Sequence, residues 1–145
     1  MLFPKKVKHR KWQTNRISEE RLQRPDTRGI TVAYGEYGLM ATSGSRVKSN
    51  QIEAARRVIA RTSGKAGRIG IRIFPDRPIT KKAAEVPMGK GKGDPDHFVF
   101  EVHPERILFE IAGVTEEVAK EACRKATAKL PVKGKFVRRL DTRAK

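Results

Sequence analysis

The chain has 145 residues, with 33 Lys and Arg against 16 Asp and Glu, a formal net charge of +17. That surplus calls for a polyanionic partner. The lack of a long apolar run or a signal-peptide pattern argues against a membrane, and a single cysteine, Cys123, excludes an internal disulfide and a multi-cysteine zinc site.

Residues 1–28 read as a basic N-terminal arm. Lys5, Lys6, Lys8, Arg10, Lys11 and Arg16 crowd around His9 and Trp12, and Pro4 and Pro25 break the stretch. Such a segment is either a solvated tail or an arm that orders on RNA, with Trp12 stacking on a base or packing on the domain. A single α+β domain is expected over 29–140, followed by a basic tail at 141–145. Residues 29–42 predict two strands around the glycine turn at 34–38. Residues 50–62 predict a helix capped by Asn50, with Glu53 completing a capping box. Its apolar face holds Ile52, Ala55, Val58 and Ile59. Arg57 and Arg61 lie nearly opposite and Arg56 at the border, with Glu53 the sole acid. A solvated helix mixes charge signs, whereas a one-sign face points to phosphate.

Residues 68–74 predict a strand with Ile69, Ile71 and Ile73 on one side and Arg68 and Arg72 on the other, facing either water or RNA. A rigid turn at 74–78 leads into a long irregular loop at 79–95. Strands are expected at 98–102 and 107–111, paired as a hairpin across His103-Pro104-Glu105. A second helix is expected over 115–129, begun by Thr115, Glu116 and Glu117. Its outer face mixes Lys120, Glu121, Arg124 and Lys125 and reads as merely solvated. A last strand is expected at 135–140.

The distinctive motif is Met88-Gly89-Lys90-Gly91-Lys92-Gly93. Glycines let a backbone approach phosphate and expose its N–H groups, and lysines add flexible point charges. The motif is not a phosphate-binding Walker loop, because Asp94 follows Gly93, and it lacks the strand–turn–helix setting of a dinucleotide site. Asp94, Asp96 and His97 are close enough in sequence to hold a metal, but Pro95 favours reading them as a turn. His9 and His103 have no spaced partners. No catalytic constellation, metal site or cofactor is expected, and the aromatic platforms and recognition helices of stand-alone nucleic-acid regulators are missing.

Residues 51–57 (QIEAARR), 71–80 (IRIFPDRPIT) and 88–93 (MGKGKG), with 1–11 and 126–131, resemble in order the L-sixteen family of large-subunit ribosomal proteins, in its bacterial type. The resemblance implies an α/β-hammerhead-like mixed sheet with two helices and no enzymatic activity. It implies binding to large-subunit rRNA and contact with tRNA in the A site and the P site, among other large-subunit proteins, without a membrane and not as a homo-oligomer. The expected rRNA contacts are Lys5, Lys6, Lys8, Arg10, Lys11, Trp12, Arg56, Arg57, Arg61, Arg68 and Arg72. The expected tRNA-contacting loop is Met88, Gly89, Lys90, Gly91, Lys92 and Gly93. A cytoplasmic ribosome is expected before an organelle one. Two departures stand out. Pro87 occupies the place where many bacterial members carry a modifiable arginine, which stiffens the loop entry. The segment 17–26 is longer and more acidic than the family leads one to expect.

Overall fold

A computed structural model describes residues 1–13 and 18–143. Arg16 and the last two residues of the expected basic tail lie outside them. The described residues form one α+β domain with the order α1 (Glu19–Leu22), β1 (Tyr37–Ala41), β2 (Ser45–Lys48), α2 (Ser49–Ser63), β3 (Arg68–Ile71), β4 (Arg77–Lys81), β5 (Asp94–Val102), β6 (Ile107–Ala112), α3 (Glu116–Thr127), β7 (Gly134–Arg138) and α4 (Arg139–Arg143). The two full-length helices are the two expected; α1 and α4 are short additions.

The strands make two antiparallel sheets, ordered β3-β6-β1-β7 and β2-β5-β4. β6 lies inside the larger sheet, and its residues from Ile107 to Ile111 are all buried. Helices α2 and α3 pack on each other and on this sheet. Ile52, Ala55 and Ile59 of α2 join Ala122, Cys123 and Ala126 of α3, together with Leu39, Phe109 and Ile111, in the main core. The small side chains along α3 allow this close approach. Val32, Ile107 and Val137 form a smaller cluster of their own.

Several elements differ from their expected form. The segment 29–36 is not a strand, although Val32 is buried as its alternation requires. Its backbone donors find side chains instead: Val32 N–H donates to Thr142 Oγ1 at 3.1 Å, and those of Ala33, Tyr34 and Gly35 donate to the Glu110 carboxylate. The expected hairpin between 98–102 and 107–111 does not form, because β5 and β6 belong to different sheets. The connector breaks the pairing. Glu105 takes φ 70°, and its N–H donates to Ala41 O at 2.7 Å, which hands the chain to β1.

Strands β2 and β4 were not apparent from the sequence, and β4 shortens the expected loop at its start. Asp94, Pro95 and Asp96 lie in β5 rather than in a turn. Proline is tolerated there because β2 pairs only with 99–102, leaving this end of β5 bonded to β4 alone. The capping of α2 also differs. Gln51 Oε1 accepts from Lys48 N–H at 2.9 Å, so Glu53 is free for the arginines described below.

Candidate nucleic-acid interface

The arm lies on the domain rather than trailing from it. Leu2 packs against the main core, and Ser49 Oγ at the start of α2 donates to Leu2 O at 2.6 Å. Lys5, Lys6, Lys8 and Arg10 are exposed and make no ion pair among the described residues. The hydrophobic anchor thus fixes one end of a run of free cations.

The far end of the arm meets the Gly-Lys loop. Lys11 Nζ donates to Lys92 O at 3.4 Å and lies 3.8 Å from the Asp94 carboxylate. Lys92 Nζ in turn donates to Trp12 O. Arg77 stacks its guanidinium over the Trp12 ring at 5.6 Å and donates to Gln13 O at 3.3 Å. Arg77 is itself held by Glu101 at 3.0 Å, which also accepts from Arg46 Nε at 3.2 Å. Lys11 and Trp12 of the arm are therefore joined to Lys92 of the loop, beside a Trp12–Arg77 stack. In the sequence Arg77 reads as part of a rigid turn; the structure places it at the start of β4, whose register shifts between Ile79 and Thr80.

Beyond this junction the loop is open. Gly89, Lys90 and Gly91 take φ values of 107°, 57° and 103° in succession. A Cβ on Gly89 or Gly91 would meet nothing within 4 Å, so the glycines serve the backbone conformation and not close packing. Met88 is 94% exposed. Lys82 Nζ folds back to Gly89 O. At the neck, a Cβ on Gly93 would lie 2.8 Å from Lys81 O, so only glycine lets the loop close onto β4 there.

On α2 the arginines divide. Arg56 makes two hydrogen bonds to Glu53, at 2.6 and 2.9 Å, and Arg57 Nε makes one at 3.2 Å. The Arg56 hydrogen bond is the main reason the Glu53 carboxyl is held down at about 2. Glu53 thus orients two guanidinium groups while leaving net positive charge. Arg61 is exposed and without an ion pair among the described residues. Arg68 is exposed at the start of the edge strand β3.

Arg72 behaves differently. β3 ends at Ile71, and the Arg72 guanidinium turns back to donate to Glu110 at 2.5 Å while covering the Tyr34 ring at 5.1 Å. It is tied to the fold rather than free at the surface. Burial pushes the Glu110 carboxyl up, but the N–H donors of Ala33, Gly35 and Tyr34 and the Arg72 side chain outweigh it and leave the pKa lowered.

The remaining acid–histidine cluster is dispersed. Asp96 pairs with His97 at 2.7 Å, and Asp94 faces Lys11. The acidic segment in the second half of the arm has a structural place. Gln23 Oε1 accepts from Gly44 N–H at 3.1 Å, Asp26 N–H donates to Pro104 O at 2.8 Å, and Arg106 bridges to Asp26 at 3.5 Å. It straps the β1–β2 turn to the β5–β6 connector.

These features form a basic surface: an anchored cationic arm, a protruding Gly-Lys loop and an arginine-bearing helix. A family model described as ribosomal protein L16p/L10e matches residues 4–137, a span that takes in the arm, both sheets, the loop and both long helices. The chain belongs to the ribosomal protein L16p/L10e family.

Proposed function

We propose that this constituent of the large ribosomal subunit binds large-subunit rRNA through the arm and α2 and holds its Gly-Lys loop toward tRNA in the A site, within reach of the P site. The observation that carries the reading is the junction of Lys11 and Trp12 with Lys92 and Asp94. It makes the arm and the loop one basic unit, one end of it anchored on the core and the other projecting.

In this reading Lys5, Lys6, Lys8, Arg10 and Lys11 neutralise rRNA phosphates, with Arg56, Arg57, Arg61 and Arg68 extending the contact. Trp12 supplies an apolar surface beside them. Arg72 serves mainly to hold Glu110. Met88 to Gly93 make the tRNA-facing element, and the work is translation on a bacterial-type, cytoplasmic ribosome, with other large-subunit proteins as neighbours.

The test is sedimentation of tagged protein from gently lysed cells, followed by crosslink mapping. The expected result is co-sedimentation with large subunits at moderate salt, with arm crosslinks to rRNA and loop crosslinks to tRNA. Recovery only as free protein would falsify the reading.

A further inference from the structure

The outer face of α3 looks solvated in sequence because its charges alternate. The fold changes that reading by setting the C-terminal half of α3 beside the C-terminal half of α2. Between them runs a groove of about 400 Å³, lined by Val58 and Arg61 from α2 and by Arg124, Lys125, Ala128 and Lys129. Four cations therefore line it together with Val58, Thr62 and Ala128.

The charge there is not balanced within the protein. Glu121 pairs with Arg124 at 2.7 Å and with Lys125 at 3.6 Å. Arg61 and Lys129 have no ion pair among the described residues. Two helix C-termini lie close by, each with about half a negative charge, so roughly two positive charges remain unmatched. Arg124 lies in the last turn of α3 and Lys129 beyond its end, so the two cations are set several ångström apart. That separation suits successive phosphates along a strand better than one small anion. Val58 and Ala128 offer apolar surface for sugars.

We infer that this groove is a second docking site for the phosphodiester backbone of an RNA strand, with Arg61, Arg124, Lys125 and Lys129 as its phosphate contacts. It lies about 18 Å along α2 from the point where the arm is anchored at Ser49. A strand gripped by the arm and the groove together would pass along α2, where Arg56 and Arg57 are held. The inference rests on the reading that the protein binds RNA, and it assigns α3 a part in that binding.

The test uses the full chain and a single-stranded uridine homopolymer of about 20 nucleotides, long enough to span both sites at a few ångström per nucleotide. Affinity is measured across a salt series. Lys125→Gln with Lys129→Gln is the groove variant; Lys5→Gln, Lys6→Gln and Lys8→Gln together are the arm variant. Loss of two single-strand phosphate contacts should reduce the salt slope by about 1.4 and weaken binding about 25-fold at 0.1 M salt. Arg61→Gln, which leaves α3 untouched, should give about half that change in slope. An arm variant with a reduced slope beside a groove variant and an Arg61→Gln variant with unchanged slopes overturns the groove and leaves the RNA reading standing. A salt-independent wild type overturns both. If a polyglutamate peptide binds the wild type and not the groove variant, while RNA binding is equal in the two, the groove takes an acidic protein and the inference is wrong.

Discussion

Arg72 donates to the buried Glu110 carboxylate at 2.5 Å, and the same two oxygens accept the N–H groups of Ala33, Tyr34 and Gly35 at 2.7–2.9 Å. One side chain thus satisfies three main-chain donors of a loop that has no strand partner there. Replacing Glu110 with Gln leaves too few acceptors and removes the charge that balances Arg72. The expected cost is about 3 kcal/mol at neutral pH, read from urea unfolding. The pH dependence has a definite sign. The folded-state pKa of Glu110 lies below its ordinary value, so its contribution is complete above the unfolded-state pKa and is lost as pH falls through the folded one. The stability gap between wild type and Glu110→Gln should therefore narrow in acid. A gap of constant size from neutral to strongly acidic solution would show that the carboxylate does not anchor the loop.

The same residue explains where sequence reading stopped. Both long helices were legible because their apolar positions recur on one face, and β6 because Ile107, Phe109 and Ile111 stand at alternate positions. Val32 alternates like a strand residue, yet its segment pairs with Glu110 and Thr142, which are distant in sequence. Strand β4 was hidden because Pro78 and Lys81 lack an apolar rhythm. The exchange of partners at Glu105 is a tertiary matter, since β1 competes for the strand that follows. At the candidate site, the charges and the Gly-Lys motif were visible as residue types. The Trp12–Arg77 stack and the Arg61–Lys129 groove were not, because only folding brings those segments together.

Cys123 packs in the core between α2 and α3, and burial pushes its thiol up to about 12. Neither access nor thiolate is available in the native state. Thiol reagents in mildly alkaline buffer should label it only as fast as the domain opens, and promptly in denaturant. Immediate labelling of native protein would mean that the α2–α3 packing is looser than described.

Trp12 is the chain's single tryptophan, so its fluorescence reports the junction of arm and loop without interference. Arg77→Ala removes the stack, the hydrogen bond to Gln13 O and the ion pair with Glu101. The expected result is a red-shifted, more quenchable emission, with a loss of stability of about 2 kcal/mol, since the Arg77 side chain is largely shielded and also pairs with Glu101. Wild-type emission should shift when RNA binds the arm. Identical spectra for wild type and Arg77→Ala would place Trp12 away from Arg77 in solution.

Gly89 and Gly91 test the loop apart from the fold. Their φ values of 107° and 103° are strained for any residue with a Cβ, but neither Cβ would touch a neighbour. The strain of Gly89→Ala with Gly91→Ala is therefore free to relax within the loop, and unfolding stability should stay within about 0.5 kcal/mol of wild type. If the loop meets tRNA in the observed conformation, the bound state must restore that strain, which is of order 1–3 kcal/mol per residue. Subunits carrying the double variant should hold A-site tRNA at least about tenfold more weakly, the factor that corresponds to 1.4 kcal/mol, while rRNA binding through the arm is retained. Gly93→Ala should behave otherwise, because its Cβ would press on Lys81 O and open the neck where the loop joins β4. Unchanged tRNA binding in the double variant would show that the loop's backbone conformation has no part in tRNA placement, and failure of the variant to enter subunits would make the loop an assembly element instead.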